Sequence, residues 1–306
     1  VDITSGATEY RDFYNFKLVS ITADKFDDID GDGVRDSGEP EIKGWELTIS
    51  CSNGTTNTMD SPASWLVNRG MYTITEEQQD GWIQTTASSE KVNVVRSSET
   101  PPTIWFGNFE LGMISGYKFN DLDGDGIKDT DELGLNGWII DLDGFDATSN
   151  MPVHFVTTTD ANGYYEFRDL SRGTYTVSEG PQSGWIQTKP MPSGTYAIYI
   201  TTSGQKEIDK DFGNFKLIYI SADKFNDLDG DKERDDGEPE IQGWELKITC
   251  PNGTTNSMDS PASWAILQGG EYTITEEPRD GWVHTTTDNV AVTAQSGDNP
   301  PIVWFG

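Results

Sequence analysis

The chain repeats itself, and this repetition constrains its fold more than any other feature of the sequence. Residues 23–65 read ADKFDDIDGDGVRDSGEPEIKGWELTISCSNGTTNTMDSPASW, and nearly the same sequence returns at residues 222–264. A diverged copy, GYKFNDLDGDGIKDTDELGLNGWIIDLDG, begins at Gly116. The copies close near WFGNF, DFGNF and WFG. Since a domain of roughly 100 residues is a common size, the sequence predicts three domains joined with almost no linker.

The alignment of the copies sets the boundaries of the repeats. We name residues 16–109 repeat A1, residues 110–215 repeat B and residues 216–306 repeat A2. Residues 1–15 resemble the end of repeat B, because ITSGATEYRDFYNFKL at 3–18 parallels ITTSGQKEIDKDFGNFKL at 200–217. They are predicted to be closing strands of a preceding domain in a longer array. The alternative is a donor strand that completes a domain of another molecule and so polymerises the chain.

The pattern of apolar residues predicts strands. Trp45, Leu47, Ile49 and Cys51 alternate with polar residues, and the same alternation returns over residues 244–250. A period of two is typical of a strand with one buried face. Clusters of Gly, Pro, Asn and Asp separate such segments, as in turns, and no segment has the apolar period of a helix. We therefore expect an all-β fold of three tandem Ig-like β-sandwich domains in an extended rod.

Charge and composition exclude several classes of function. The chain has 52 acidic and 21 basic residues, a net charge of −31, which repels the phosphates of nucleic acids. No apolar run approaches the roughly 18 residues of a membrane-spanning segment. His154 and His284 are not at equivalent positions, and neither lies near a nucleophile motif. The sequence thus predicts a chain that is not an enzyme, binds no nucleic acid and has no transmembrane segment.

Each repeat contains one acidic loop whose carboxylates are regularly spaced. In repeat B the loop reads DLDGDGIKDTDE, which follows the calcium-loop pattern D-x-D-x-D-G-x5-E. Ca²⁺ prefers hard oxygen ligands, and alternate Asp side chains of a curled loop converge on one point. The seventh residue would contribute its backbone carbonyl, and the final Glu both oxygens. The predicted ligands are Asp28, Asp30, Asp32, Val34, Asp36 and Glu39 in A1, Asp121, Asp123, Asp125, Ile127, Asp129 and Glu132 in B, and Asp227, Asp229, Asp231, Glu233, Asp235 and Glu238 in A2.

The loop of repeat A2 departs from the pattern. Lys232 stands where Gly33 and Gly126 occupy the sixth position. A left-handed residue other than Gly costs roughly 1 kcal/mol, and an ammonium group repels a cation. Strand-like sequences flank the loops, ISGYKF before and GWIIDL after, unlike the helices of calcium sensors. We expect about one Ca²⁺ per repeat, bound most weakly in A2, in an EF-hand-like loop between strands that acts as a clamp.

At these residues the chain resembles a known family. ISGYKFNDLDGDGIKDTDELGLNGWIIDL, TTDANGYYEFRDLSRGTYTVSEGPQSGWIQT and DFGNF are similar to the SdrD B-like repeat of cell-surface proteins. The resemblance implies prealbumin-like, Cna-B-type β-sandwiches, an extracellular location at the cell surface, and calcium-dependent, rod-like spacers. Repeats A1 and A2 depart from it, because MDSPASW stands where repeat B has TDANGYYEF.

The same resemblance bears on one lysine in each repeat. Cna-B-type domains often form a Lys–Asn isopeptide bond assisted by a buried Glu. The candidate residues here are Lys25, Glu76 and Asn108 in A1, and Lys118, Glu179 and Asn214 in B, although each lysine is offset by about two residues from the reactive lysine of that family. Lys224 and Glu276 recur in A2. The alternative, which the sequence favours, is a lysine at a strand end whose ammonium reaches water.

Three further sets of residues carry weaker signals. Cys51 and Cys250 are predicted to be buried free thiols, with an intermolecular disulfide as the alternative. The NGT triplets at Asn53 and Asn252 are N-glycosylation sequons on turns. Repeated tryptophans favour core packing over carbohydrate binding. They are Trp45, Trp138 and Trp244, and Trp82, Trp185 and Trp282.

These observations predict a non-enzymatic, extracellular structural scaffold. Calcium-stabilised repeats would form a rod, stalk, filament or envelope component, through self-association or continuation in a longer array. The alternative is an adhesin or an array of carbohydrate-binding modules, whose partner would be a glycan or a ligand on a host or cell surface.

Overall fold

Residues 12–306 are described by a computed structural model. Regular structure in this range consists of β-strands without helices, which confirms the all-β prediction. It follows that no described helix is long and apolar enough to cross a membrane. Of the segment predicted to be a closing or donor strand, residues 1–11 lie outside the described residues, and residues 12–18 form no strand.

Repeat A1 contains two facing sheets. One has the order β4-β1-β8-β6 and the other β3-β2-β5-β7. The first and last strands pair in parallel, from Ala23 opposite Ile104 to Asp27 opposite Asn108, whereas the other pairs are antiparallel. The strands are β1 (Val19–Asp27), β2 (Glu46–Cys51), β3 (Thr56–Asp60), β4 (Ala63–Val67), β5 (Gly70–Glu76), β6 (Trp82–Gln84), β7 (Ser89–Val94) and β8 (Ile104–Glu110).

Repeat B has the same plan with longer strands. Its sheets have the orders β12-β9-β17-β14, with β16 added beside β9, and β11-β10-β13-β15. The first strand again pairs in parallel with the last, with Asn120 opposite Asn214. The strands are β9 (Gly112–Asn120), β10 (Ile139–Asp146), β11 (Met151–Thr158), β12 (Tyr164–Leu170), β13 (Gly173–Glu179), β14 (Trp185–Lys189), β15 (Thr195–Ile200), β16 (Lys206–Glu207) and β17 (Phe212–Lys216).

Repeat A2 repeats the plan of A1 with a shorter closing strand. Its sheets have the orders β21-β18-β24 and β20-β19-β22-β23. The parallel pair runs from Ala222 opposite Val303 to Lys224 opposite Phe305. The strands are β18 (Ile218–Lys224), β19 (Glu245–Thr249), β20 (Thr255–Asp259), β21 (Ala262–Ile266), β22 (Gly270–Glu276), β23 (Asn289–Ala294) and β24 (Val303–Phe305).

One apolar core lies between the sheets of each repeat. The residues that alternate in the sequence point into it, so that Leu47 and Ile49 are buried in A1 as Leu246 and Ile248 are in A2. Trp45, Trp138 and Trp244 are buried, as core packing predicts. Each meets the second tryptophan of its repeat edge to face, at centroid separations of 5.4–5.6 Å, a geometry that aromatic pairs prefer.

Consecutive repeats share their closing strands. Phe109, at the end of β8, belongs to the core cluster of repeat B, and Phe215, at the end of β17, belongs to that of A2. Phe16 packs against the core of A1 at the corresponding position. β8 and β17 therefore each complete a sheet of one repeat and contribute a phenylalanine to the core of the next, which explains why no linker separates A1 from B or B from A2.

The closing strand also requires a glycine beside the first strand. A Cβ atom on Gly107 would lie 2.4 Å from Phe26 Cζ, so Gly107→Ala must displace the buried ring. We expect a loss of roughly 1–3 kcal/mol in the free energy of unfolding, as for other overpacked cores. Gly70→Ala is the matched control, because its Cβ would meet only ordinary contacts at 3.5 Å. Equal effects of both variants in denaturant melts would contradict this packing.

Candidate calcium loops, buried lysines and junctions

The acidic loops lie at one place in the fold. Each follows the first strand of its repeat, and the chain then returns to that strand through an isolated bridge. The bridges join Phe26 to Glu41, Phe119 to Gly134, and Phe225 to Glu240. All three loops are therefore closed at both ends by the sheet that contains the closing strand.

The first carboxylate of each loop organises the turn. In A1, the Asp28 carboxylate accepts hydrogen bonds from the amides of Gly31 (2.7 Å), Asp32 (3.2 Å) and Gly33 (2.8 Å). Asp121 does the same for Gly124 and Gly126, at 2.6 and 2.8 Å. The loop thus curls around this buried carboxylate.

The glutamate at position twelve ties the two ends of the loop together. Glu132 accepts one hydrogen bond from the Leu122 amide (2.7 Å) and another from the Asp129 amide (3.0 Å). Glu39 and Glu238 make the corresponding pairs of bonds in A1 and A2. The position-seven amides of Val34, Ile127 and Glu233 donate to the position-five carboxylates.

The structure brings together part of each predicted ligand set. Within each group below, carboxylate oxygens lie within 4.8 Å of one another, which is close enough to share one cation. The groups are Asp28, Asp30 and Asp32; Asp121, Asp123 and Glu132; Asp227, Asp229 and Glu238; and Asp229, Asp231 and Asp235. The remaining predicted side-chain ligands are Asp36, Glu39, Asp125 and Asp129, which line the same loops without joining these groups.

The crowded carboxylates affect one another electrostatically. Burial raises the pKa of Glu132, and the nearby Asp121 and Asp123 raise it further, against the lowering effect of its backbone hydrogen bonds. Burial and neighbouring aspartates raise the pKa of Asp123 and Glu39 in the same way. Clustered hard oxygens that repel one another fit a bound Ca²⁺, because the cation removes the repulsion.

Repeat A2 keeps the turn despite its lysine. Lys232 has φ of +77°, close to the +79° of Gly33 and Gly126. In A1 and B, a Cβ atom at this position would meet a backbone carbonyl oxygen at 2.8–2.9 Å. We name the acidic loops of A1, B and A2 loop 1 (residues 28–39), loop 2 (residues 121–132) and loop 3 (residues 227–238). Loop 3 must therefore lie further from the neighbouring segment, and Asp227 is half-buried where Asp28 and Asp121 are fully buried.

A second kind of polar cluster lies between the two sheets within repeat A1, and an equivalent cluster lies within repeat B. The ammonium nitrogen of Lys25 contacts both the Glu76 carboxylate and the Asn108 side-chain oxygen. In B, Lys118 Nζ contacts the Asn214 side-chain oxygen and lies 3.1 Å from Glu179, which accepts a hydrogen bond from the Asn214 amide (2.7 Å). The residues proposed for isopeptide bonds are thus brought together in both repeats.

The prediction that the lysines reach water is wrong. Lys25 and Lys118 are completely buried, and Lys224 is 2% exposed. The ammonium nitrogen of Lys25 lies 4.0 Å from the centroid of the Trp45 ring, so the aromatic cores close over the strand end. Burial lowers the pKa of Lys25 and Lys118 to about 8 and raises the pKa of Glu76 and Glu179. Both shifts favour the neutral forms of the pair.

Sequence reasoning did not identify the serines at the junctions between repeats. The Ser203 amide donates to the Ile29 carbonyl of loop 1 (2.9 Å), and its hydroxyl donates to the Asp27 carboxylate (2.6 Å). Ser296 makes the corresponding bonds to Leu122 (3.0 Å) and Asn120 (2.6 Å) of repeat B. The acidic loops therefore also support the next repeat. The signal in the sequence was a recurring Ser-Gly pair, at 203–204 and 296–297.

The remaining predicted residues are the two cysteines, the two sequon asparagines and the second tryptophan of each repeat. Cys51 and Cys250 are free and half-buried, rather than fully buried. Asn53 and Asn252 lie in exposed turns, where each side chain accepts a hydrogen bond from the amide two residues later. Trp282 is 45% exposed, whereas its counterparts Trp82 and Trp185 are half-buried.

The described residues therefore form an all-β repeat protein in which each repeat contains one acidic loop. Residues 112–210 match the model of the SdrD B-like domain family, which confirms the resemblance seen in the sequence. The chain is 28% identical over 295 residues to serine-aspartate repeat-containing protein F of Staphylococcus epidermidis, covering 86% of this chain and 17% of that protein. It is 26% identical over 310 residues to serine-aspartate repeat-containing protein D of Staphylococcus aureus (strain NCTC 8325 / PS 47), covering 90% and 22%.

The chain therefore spans only 17–22% of the length of these relatives.

Among solved structures, BcpA, the major pilin subunit of Bacillus cereus, aligns with a TM-score of 0.41 and 12% identity over 94% of this chain and 98% of that one. The Bacillus anthracis TIE protein aligns with a TM-score of 0.35 and 17% identity over 94% and 50%. The family match and the curated relatives support an extracellular, cell-surface scaffold of structural or adhesin type.

Two substitutions at Lys232 separate backbone strain from charge. Lys232→Gly removes both the left-handed strain and the ammonium, whereas Lys232→Ala removes the ammonium alone. Without metal, we expect Lys232→Gly to be more stable than Lys232→Ala by about 1 kcal/mol, measured by the unfolding of A2. Calcium titrations should show tighter binding to the third loop in both variants. Equal stability of the two variants would contradict the strain at this residue.

Proposed function

We propose that the chain is a non-enzymatic extracellular scaffold whose acidic loops each bind Ca²⁺ and stiffen a rod of tandem repeats. The observation that carries this proposal is the double role of the loops. Their inner carboxylates converge within 4.8 Å, and in A1 and B their outer backbone accepts a hydrogen bond from the next repeat. One cation would therefore act on the fold of a repeat and on its connection to the neighbour.

The residues that would hold the ion are the predicted sets of the three loops. Bound Ca²⁺ supplies positive charge that removes the repulsion among the carboxylates. Asp28 and Asp121, buried and bonded to three and two loop amides respectively, keep the loops curled. Glu39, Glu132 and Glu238 hold the loop ends together. Affinities of about 10⁻⁴–10⁻³ M are typical of extracellular calcium modules.

Removal of calcium tests this proposal directly. Thermal melts of the chain in excess calcium should shift to lower temperature on chelation, because only the folded loops gather the ligands. Asp121→Asn with Asp123→Asn should reduce the calcium-dependent shift, while Asp143→Asn, at an exposed carboxylate outside the loops, should leave it unchanged. Identical melts with and without chelator would contradict the clamp.

We further propose that A1 and B are each crosslinked by an isopeptide bond. Neutral Lys25 would attack Cγ of Asn108 through Nζ, and Asn108 would lose its side-chain nitrogen as ammonia, while protonated Glu76 relays the proton. Lys118, Asn214 and Glu179 offer the same set in B. Burial favours the required protonation states, and the product would join the first and last strands of each repeat.

Intact mass spectrometry tests the crosslinks. We expect the chain to be lighter than its sequence mass by two molecules of ammonia, one for each predicted bond. Asn108→Ala and Asn214→Ala should each remove one of these losses, whereas Asn68→Ala, outside the clusters, should retain both. A measured mass equal to the sequence mass would reject the crosslinks and leave the calcium clamp untouched.

A further inference from the structure

The outer face of one sheet of repeat B carries two aromatic side chains that lie outside the core. Phe145 on β10 is 42% exposed, and Tyr199 on β15 is 62% exposed. Both strands pair with β13, and both residues stand opposite Thr174. Phe145, Thr174 and Tyr199 therefore form one row across three neighbouring strands, with the small residue between the two rings.

The space between the two rings is an open cleft of about 450 Å³. We name it the B cleft. Its floor is formed by the exposed residues Thr174, Thr176 and Ala197. Neighbouring strands lie about 4.8 Å apart, so Phe145 and Tyr199 start from backbone positions roughly 9.6 Å apart. This separation is wide enough for one six-membered ring between the two aromatic walls.

A positioned carboxylate stands beside the B cleft. Asp143 lies on the same face of β10 as Phe145, and its side chain is 68% exposed. His154, directly opposite on β11, contacts one oxygen of Asp143 at 2.8 Å. The other oxygen makes no hydrogen bond with any residue that the structure describes. The cleft thus combines apolar ring faces with a fixed hydrogen-bond acceptor.

The two rings are not a requirement of the fold. Repeats A1 and A2 have the same sandwich, yet they carry no aromatic residue at the positions of Phe145 and Tyr199. The residues there are Ser52 and Asn93 in A1, and Pro251 and Thr293 in A2. Exposed aromatic residues that the shared fold does not need point to a binding role at the surface.

The chemistry of the B cleft favours a sugar. A pyranose ring has C–H groups on its faces, which pack on the electron-rich faces of aromatic rings, and hydroxyls at its edge, which donate to a carboxylate. A proline-rich peptide also packs on aromatic residues. Proline has no N–H group, however, so such a peptide would cover Asp143 without giving it a donor, which costs free energy.

Charge decides which sugars fit the B cleft. Asp141 and Asp143 lie on the same face of β10, in a chain whose net charge is −31. His154 is 2.8 Å from Asp143 and 4.0 Å from Asp141, so it faces carboxylates of the protein rather than an anionic ligand. The carboxylates repel acidic sugars, whereas the hydroxyls of a neutral sugar meet them as hydrogen-bond donors.

We propose that the B cleft binds a neutral oligosaccharide or polysaccharide, with one sugar ring between Phe145 and Tyr199 and its hydroxyls donating to Asp143. The site adds glycan recognition to the scaffold. It goes beyond the calcium clamp, because the residues that line the cleft belong to β10, β13 and β15 and none of them lies in an acidic loop.

Titration of the full chain tests this proposal. The neutral probes are cellohexaose, maltohexaose and hexa-N-acetylchitohexaose, and a hyaluronan oligosaccharide and a polyproline peptide are the acidic and peptide comparisons. Calorimetry measures the Kd, and amide NMR spectra locate the site. Tyr199→Ala removes one wall of the cleft. Tyr219→Ala is the matched control, because it removes a tyrosine of β18 that is 57% exposed. Melting curves verify that each variant is folded.

We expect at least one neutral oligosaccharide to bind and to shift the amide signals of Thr174, Thr176 and Tyr199. Tyr199→Ala should weaken this binding about tenfold, while Tyr219→Ala leaves it unchanged. Asp143→Asn should bring the affinity for the hyaluronan oligosaccharide closer to that for the neutral probe, because it removes a repelling charge.

Several results would overturn the proposal. They are failure of all three neutral oligosaccharides to bind, binding that shifts amide signals outside the B cleft, and equal affinities of Tyr199→Ala and the unmodified chain. Binding of the polyproline peptide alone would also overturn it. An unchanged preference in Asp143→Asn would contradict the role of charge at this site.

Discussion

The crowding of carboxylates in the acidic loops is the constraint on which the rest of the structure depends. Each loop gathers three or more acidic side chains at the point where the first strand of a repeat ends. The first aspartate is held by loop amides and the last glutamate closes the loop. Such an arrangement is self-repelling without a cation. In A1 and B the loop backbone also accepts a hydrogen bond from the next repeat, so the repulsion among the carboxylates also affects the two junctions.

The junctions also have an apolar component. Phe109 and Phe215 end the closing strands of A1 and B, yet both are buried in the cores of the following repeats. At the two junctions in the described part of the chain, the segment between repeats thus contains an aromatic ring whose burial stabilises the next repeat by about 1.5–3 kcal/mol. Calcium would then add to the packing of these phenylalanines at each junction, by fixing the loop that accepts the hydrogen bond from Ser203 or Ser296.

Much of this organisation could be predicted from the sequence, because it depends on local patterns. The period of two identifies strands such as β2 (Glu46–Cys51), and the spacing from Asp121 to Glu132 identifies a curled acidic loop between strands. The burial of Lys25 could not be predicted in this way. Periodicity assigns a residue to a face of a strand. How deeply Lys25 is buried on that face depends on its contacts with Trp45 and with β8, a strand that is distant in the sequence. Ser203 was missed because its role exists only where two repeats meet.

Hydrogen exchange at the junction amides tests the central claim most directly. The amides of Ser203 and Ser296 donate to loop carbonyls of the preceding repeat, whereas the amide of Ile74 lies in a central strand of A1. If calcium in the loops holds the repeats together, chelation should accelerate exchange at Ser203 and Ser296 much more than at Ile74. Unchanged exchange at both serines after complete removal of calcium would contradict the account.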